Sequence, residues 1–408
     1  MSYTINKTNK SISGIINLTA SKSESNRVLI IQALSEQHFN INNLANADDT
    51  KILLELLNSN QYNLDVGAAG TTMRFLTAYF ATKKDSEHII TGSKRMQERP
   101  IGILIDALNQ LGAQITYTKN IGFPPIKIIG KKLMGDKISI DGSISSQYIT
   151  ALLLIAPTLE KGLKITIEGT LTSKPYIEMT LKIMNYFNIK TNFEDNLISI
   201  ESQKYKAKDY TIEGDWSSGS YLYQIVAFSD NAELFINGLN QDSLQGDSKI
   251  TDIMDELGVK TEFMEQGIKL TKTKIKTDHL IYDFSDCPDI AQTIAVTCVG
   301  LGIKATLSGL KTLKIKETDR VKALINEISK LGINISESQD NILSIQDGKI
   351  NKDIITIETY KDHRMAMAFA PLAMLNNNIN IQEPEVVAKS YPNYWQDLAC
   401  LGLIFTDA

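Results

Sequence analysis

Arginine is scarce in this chain. Of 42 basic residues among 408, only Arg27, Arg74, Arg95, Arg99, Arg320 and Arg364 are arginine. Cysteine is scarcer: Cys287, Cys298 and Cys400 make no CxxC pair, and the four histidines, His38, His88, His279 and His363, make no HExxH pair. A zinc motif and a disulfide scaffold are therefore excluded, and no metal or organic cofactor is expected. No stretch of 18 apolar residues occurs, so no membrane-spanning helix is expected. Met1 to Lys10 is polar and lacks the apolar centre of a secretory signal, which points to the cytosol. Nine prolines and 24 glycines are too few for a disordered or collagen-like chain. Basic charge is not in excess either: 47 acidic residues leave a net charge of −5, which argues against a nucleic-acid binder.

What is present reads as a soluble globular protein of two or three domains, with 43% hydrophobic and 22% charged residues. Lysine is its default surface cation. Arginine adds what lysine cannot, a permanently charged fork that grips carboxylate or phosphate with two hydrogen bonds.

A repeat of about 72 residues organises the chain. Amphipathic stretches end at Gly112, Asn188, Gly258, Gly332 and Gly402, in steps of 76, 70, 74 and 70, and alternating apolar residues follow each. That pattern predicts a helix with a glycine or asparagine C-cap running into a strand. A second set of helix starts lies at Thr71, Ser145, Ser217, Asp289 and Asp362, in steps of 74, 72, 72 and 73. Its first member, Ser21-Lys22-Ser23, lies only 50 residues before Thr71, so the first repeat lacks roughly 20 residues. The reading is six repeats of strand–helix–strand–helix plus further strands, in two similar halves with a break near Glu213-Gly214. Equivalent helix N-termini bring their N–H groups and partial positive charge together, a ready anion site.

The arginines follow this pattern. Arg27, Arg74, Arg320 and Arg364 are read as lying in the first turns of helices, and Arg95 and Arg99 as preceding the helix after Pro100. Around them are further polar groups. Ser21 to Arg27 sets hydroxyls, Lys22 and Arg27 on one helical turn, and would otherwise be a serine-capped surface helix. Gly67 to Arg74 is a glycine loop entering a helix; it lacks the Gly-Lys-Ser/Thr ending of a nucleotide-hydrolysing loop. Ser145-Ser146-Gln147 and Ser173-Lys174-Pro175-Tyr176 open two helices, where they serve as caps or as phosphate ligands. Pro288-Asp289 puts a carboxylate at a helix start, as a cap or as a general base that neighbouring lysines keep ionised. Lys316 to Arg320 mixes signs densely, with Asp319 as a cap, and Asp362-His363-Arg364 and Ala388-Lys389-Ser390 complete the set.

In this combination and order the chain resembles the 5-enolpyruvylshikimate-3-phosphate (EPSP) synthase family. The resemblance runs through Ser21–Arg27, Ala69–Arg74, Arg95–Pro100, Ser145–Gln147, Ser173–Tyr176, Gln245-Gly246-Asp247, Pro288-Asp289, Lys316–Arg320, Asp362–Met367 and Ala388–Pro392. It implies an α/β (α+β) fold of two similar domains, each of three βαβαββ repeats, the enolpyruvyl transferase fold or inside-out α/β barrel. One domain would comprise residues 21–213 and the other 1–20 plus 214–408, with the active site in the cleft between them. The implied partners are two small molecules, shikimate 3-phosphate and phosphoenolpyruvate, with no nucleic acid, no membrane and a monomeric state. Matched by position, Lys22, Ser23, Arg27, Ser145, Ser146, Gln147, Ser173, Asp289 and Lys316 would hold shikimate 3-phosphate, with Tyr176 lining its phosphate pocket. Lys22, Gly70, Arg95, Gln147, Arg320, Arg364 and Lys389 would hold phosphoenolpyruvate. Asp289 would be the base, Lys22 or Glu317 the acid, and Lys316 would stand beside Asp289. Some positions depart from the usual pattern: Thr19-Ala20 replaces Pro-Gly, Ala68 replaces asparagine, and Phe75 replaces proline.

Two other readings compete. The sister enolpyruvyl transferase acting on a UDP-amino sugar carries a reactive cysteine in its first half, whereas every cysteine here lies beyond residue 286. A non-catalytic anion-binding module would keep the cations but lose acid and base groups, which Asp289, Glu317 and Lys22 retain.

Overall fold

The computed structural model describes residues 1–6, 9–143, 145–350, 354–375 and 378–407. It divides into two compact units, residues 21–212 and residues 1–20 with 213–408. Five of its six sheets have four strands and one plan. In the sheet of Asn63–Asp65, Glu87–Thr91, Gln114–Tyr117 and Ile126–Ile129, the first two strands are parallel. The last strand inserts antiparallel between the second and the third. Helix Gly70–Thr82 links the first two strands and helix Gly102–Gln110 leads to the third. This is the βαβαββ unit, and it recurs in residues 136–200 and 279–345.

Two more units are completed by the N-terminus. Strand Ser11–Asn17 runs parallel to Asn231–Asn237 as the first strand of its sheet. Strand Ser2–Asn6 lies between Asn378–Gln382 and Ile404–Asp407 as the fourth strand of another. The sixth sheet explains the short first repeat. It has only Ile41–Asn42 beside Tyr210–Thr211. Helix Asp48–Leu57 is followed at Asn63 by the next repeat's first strand, whereas Gln110 to Asp136 in that repeat holds a two-stranded hairpin. The intervening stretches are 5 and 25 residues long, so the missing 20 are the hairpin.

Local chemistry accounts for the period. Gly112, Asn188, Gly258, Gly332 and Gly402 all have positive φ, between 67° and 97°. After three of them the chain closes the same six-residue bond: Ala113 N to Leu108 O, Ile189 N to Met184 O, and Leu403 N to Leu398 O, at 2.9–3.1 Å. This left-handed cap satisfies helix-end carbonyls and turns the chain into the strand.

Helices form the interior of each unit. Gly70–Thr82 packs on Ser146–Ile155 in one, and Ala291–Leu301 packs on both Trp216–Phe228 and His363–Phe369 in the other. They are buried almost throughout, including Trp216, Tyr221 and Tyr223. Strands alternate buried and exposed residues, as in Asp136–Asp141, so each sheet turns one face to its helices and one outward. Helices inside and separate sheets outside are the inside-out arrangement; among the described residues no sheet closes on itself. No helix of the described residues is long and apolar enough to cross a membrane.

Candidate active site

In the unit of residues 213–408, six expected site residues fall into one connected network. Asp289, on the short turn Pro288–Ile290, is its centre. Its Oδ1 lies 3.2 Å from Arg320 and 3.6 Å from Lys316, and its Oδ2 lies 3.1 Å from Arg364. Arg364 also donates to the Asp289 carbonyl at 2.8 Å. Glu317 joins two cations, accepting from Arg320 at 2.9 Å and from Lys389 at 2.5 Å. Three cations on one carboxylate and two on another make an anion-binding surface that is itself held in place by anions.

Asp362 anchors this network. It caps helix His363–Phe369 by accepting from Arg364 N at 2.9 Å, and takes Arg320 with both oxygens at 2.8 and 3.3 Å. Burial alone works against the Arg320 charge. Asp362 and Glu317, with Asp289 behind them, outweigh it and raise the guanidinium's pKa above its ordinary value. Lys316 shifts the other way, since burial lowers its pKa more than Asp289 raises it.

The unit of residues 21–212 carries the second set. Arg27 donates to Thr180 at 2.8 Å, to the Ser23 carbonyl at 2.6 Å and to the Tyr176 carbonyl at 3.2 Å. Its guanidinium lies 5.8 Å from the rings of both Phe75 and Tyr176, so Phe75 forms part of the arginine's apolar wall. Burial lowers the Arg27 pKa to about 10. Lys22 opens helix Lys22–Leu34, with Nζ 3.3 Å from Asp49. Ser145 caps helix Ser146–Ile155 by accepting from Gln147 N at 3.3 Å, and the Gln147 amide donates to Thr71 at 3.2 Å. Ser173 precedes helix Lys174–Tyr186 in the left-handed region, φ 56°, and caps it with no side-chain bond. Helix Gly70–Thr82 likewise has no side-chain cap, leaving its first N–H groups available to an anion.

The arginines do not all act as first-turn ligands. Arg27 is the sixth residue of its helix and Arg74 the fifth. Arg74 is turned inward, donating to the carbonyls of Gly70 and Pro100 at 2.8 and 3.2 Å. It braces the glycine loop, because a guanidinium can bridge two backbone carbonyls at once. Arg95 is 45% exposed and 3.4 Å from Glu98.

Gly70 sits against this brace. A Cβ there would lie 2.6 Å from Arg99 Nη1 and 2.9 Å from Arg74 Nη1. Gly70→Ala is expected to displace one or both guanidinia and to raise KM for an anion at this helix start by roughly tenfold, about 1.4 kcal/mol. Steady-state kinetics checks it; an unchanged KM would show that no anion uses this position.

Sequence reasoning missed Asp49, Ser217 and Tyr221 as neighbours of the site. Asp49 lies 27 residues from the lysine it holds, and no local spacing announces such a pair. Asp362 was visible in its motif, but its grip on Arg320 across 42 residues was not.

Comparison with known proteins shows the family. The family model described as EPSP synthase (3-phosphoshikimate 1-carboxyvinyltransferase) matches residues 6–59 and 55–398. A 3-phosphoshikimate 1-carboxyvinyltransferase of Bacteroides fragilis strain YCH46 is 46% identical over 393 residues, covering 96% of each chain. Another from Colwellia psychrerythraea is 38% identical over 417 residues, covering 95% of this chain and 96% of its own. Among solved structures, EPSP synthase from Acinetobacter baumannii superposes over the whole of both chains with a TM-score of 0.79 at 20% identity.

Proposed function

The chain belongs to the EPSP synthase (3-phosphoshikimate 1-carboxyvinyltransferase) family, and from that premise we propose how its residues divide the work. The enzyme transfers the enolpyruvyl group of phosphoenolpyruvate to the 5-hydroxyl of shikimate 3-phosphate and releases phosphate, a step of the shikimate pathway towards aromatic amino acids.

Both substrates carry a carboxylate and a phosphate, so the site must hold four anionic groups. Arg320 and Arg364 take the phosphoenolpyruvate carboxylate, and the Gly70 N–H, Arg95 and Lys389 take its phosphate. Lys22 and Gln147 lie with both substrates. Ser145, Ser146, Ser173, Tyr176 and Arg27 hold shikimate 3-phosphate at its phosphate end and ring, with Ser23 beside them. Asp289 and Lys316 meet its 5-hydroxyl.

The observation that carries this reading is the setting of Asp289. Three cations hold its carboxylate. A substrate carboxylate competes for two of them, Arg320 and Arg364. Once they turn to the substrate, Asp289 is left with Lys316 and becomes a better base for the 5-hydroxyl proton. That oxygen then bonds to C2 of phosphoenolpyruvate while its methylene carbon gains a proton from Lys22 or Glu317. Both Glu317 oxygens accept from cations, so Glu317 serves as the donor only after it has taken a proton from solvent, which the loss of Lys389 to the substrate phosphate favours. The tetrahedral adduct then returns a methyl proton to the group that had donated one, the C2–O bond breaks with its electrons leaving on phosphate, Asp289 gives the 5-hydroxyl proton to that leaving group, and the enol ether forms. Holding the two anions together against their repulsion supplies much of the acceleration, up to about 7–11 kcal/mol in effective molarity.

The reading places the enzyme in the cytosol as a monomer acting on diffusible substrates. It predicts phosphate release from phosphoenolpyruvate only when shikimate 3-phosphate is also present. A phosphate assay with each substrate alone and then both decides the point. Release with a UDP-amino sugar in place of shikimate 3-phosphate would overturn it.

A further inference from the structure

Two sequence motifs have no part in the chemistry above: Gly214-x-x-Ser217-Ser218 and Gln245-Gly246-Asp247. They meet in the fold. The Ser217 hydroxyl donates to Asp247 Oδ2 in a short contact. The same hydroxyl oxygen accepts from Arg364 Nη2 at 3.4 Å. Arg364 in turn reaches Asp289 Oδ2 at 3.1 Å and donates to the Tyr221 hydroxyl at 3.5 Å. A line of contacts therefore runs from Asp247 through Ser217 to the arginine assigned to the phosphoenolpyruvate carboxylate.

Asp247 is an unusual end to that line. It is 3% exposed, and its Oδ1 has no hydrogen-bond partner among the described residues. No cation lies within ion-pair distance of it among the described residues, whereas the nearby Asp289 has three. The charged and titratable groups around it are mostly of its own sign. Asp215 caps the helix that bears Ser217, Asp289 and the Cys287 thiol come from the neighbouring turn, and Arg364 is a facing cation. On its own turn Lys249 is turned to solvent towards Asp252, and Asp255 of the next helix pairs at the surface with Lys276. A buried carboxylate with an unpaired oxygen is costly, and a proton removes the charge that makes it so.

We infer that Asp247 is a positioning residue that works as a neutral carboxylic acid, fixing the Ser217 hydroxyl and through it the Arg364 guanidinium. This rests on the transferase reading above for what Arg364 binds. Burial first, and then the Asp289 charge, push the Asp247 pKa up to about 7. Below that pH the acid is neutral and Arg364 is offered to the substrate. Above it, the new negative charge pulls on Arg364 and repels a carboxylate, so affinity for phosphoenolpyruvate falls as pH rises.

Asp247→Asn keeps the shape and neutrality of the acid; Asp247→Ala and Ser217→Ala break the line. The test compares the four proteins between pH 6.5 and 8.5 by steady-state phosphate release and by calorimetric binding of phosphoenolpyruvate. Asp247→Asn is expected to retain at least a third of kcat at pH 7. Across that range wild-type kcat/KM for phosphoenolpyruvate should fall roughly 25-fold relative to Asp247→Asn, because the competent fraction shrinks. Asp247→Ala and Ser217→Ala should raise KM for phosphoenolpyruvate about tenfold and threefold, with far smaller changes in KM for shikimate 3-phosphate. If Asp247→Asn is as impaired as Asp247→Ala, or follows the wild-type pH curve, the inference is wrong. Wild type that binds phosphoenolpyruvate but never turns over shikimate 3-phosphate would sink the transferase reading instead, and the binding curves would still decide the role of Asp247.

Discussion

Asp289→Asn should lower kcat by about 10²–10⁴ while shikimate 3-phosphate still binds. The amide keeps the size of the carboxylate and can still accept a hydrogen bond from the 5-hydroxyl. It cannot take the proton. It also removes the one anion that Arg320, Arg364 and Lys316 share. Those cations keep other partners: Arg320 retains Asp362 and Glu317, and Arg364 retains the carbonyl of residue 289. The fold should therefore survive, and circular dichroism should match wild type. Single-turnover phosphate release at saturating substrates reads the chemical step directly. A loss of less than tenfold would remove Asp289 from the role of base and leave it as a brace for three cations.

Arg320→Ala should be damaging in a different way, to stability as well as turnover. The Arg320 side chain is 2% exposed, and its Asp362 partner is fully buried. Three carboxylates, Asp362, Glu317 and Asp289, lie within 3.2 Å of its guanidinium. Removing the arginine leaves Asp362 charged and without its main partner, which for buried pairs costs about 3–5 kcal/mol. In a domain of this size that lowers Tm by roughly 6–20 °C. Arg320→Lys should restore little, since an ammonium cannot reproduce a planar fork that serves three carboxylates. The double change Arg320→Ala with Asp362→Asn separates the two effects. Neutralising the orphaned carboxylate should recover a large part of the lost Tm, and phosphate release should stay at the level of the single variant. An unchanged Tm in Arg320→Ala would mean that the buried network contributes nothing to folding; recovered turnover in the double variant would mean that Arg320 does not touch phosphoenolpyruvate.

The period of the repeat, the helix starts and the identity of the rare arginines are properties of the linear chain. A left-handed C-cap needs glycine or asparagine, and a helix start favours serine, threonine or aspartate, so both leave marks at fixed positions. The deficit in the first repeat was readable as a length, because a hairpin takes a set number of residues. That it was a hairpin, and that its loss reduces a four-stranded sheet to two short strands, required the strand pairing. The motif residues Asp289, Lys316, Glu317, Arg320 and Arg364 were also legible, since each sits where a helix begins or a charged run breaks the apolar pattern.

Tertiary structure decided which charges meet. Arg320 and Asp362 are 42 residues apart, Lys22 and Asp49 are 27 apart, and Ser217 and Asp247 are 30 apart. Such pairings arise from the packing of whole helices and leave no local spacing. Structure also sorted arginines that look alike in sequence. Arg74 turns to the carbonyls of Gly70 and Pro100, Arg320 is caged by carboxylates, and Arg95 is exposed beside Glu98. The sequence by itself determined which chemical groups stand at the helix ends, because local backbone geometry selects them. Only the fold determined each group's partners, because burial and long-range contact set the charge it carries and the direction it points.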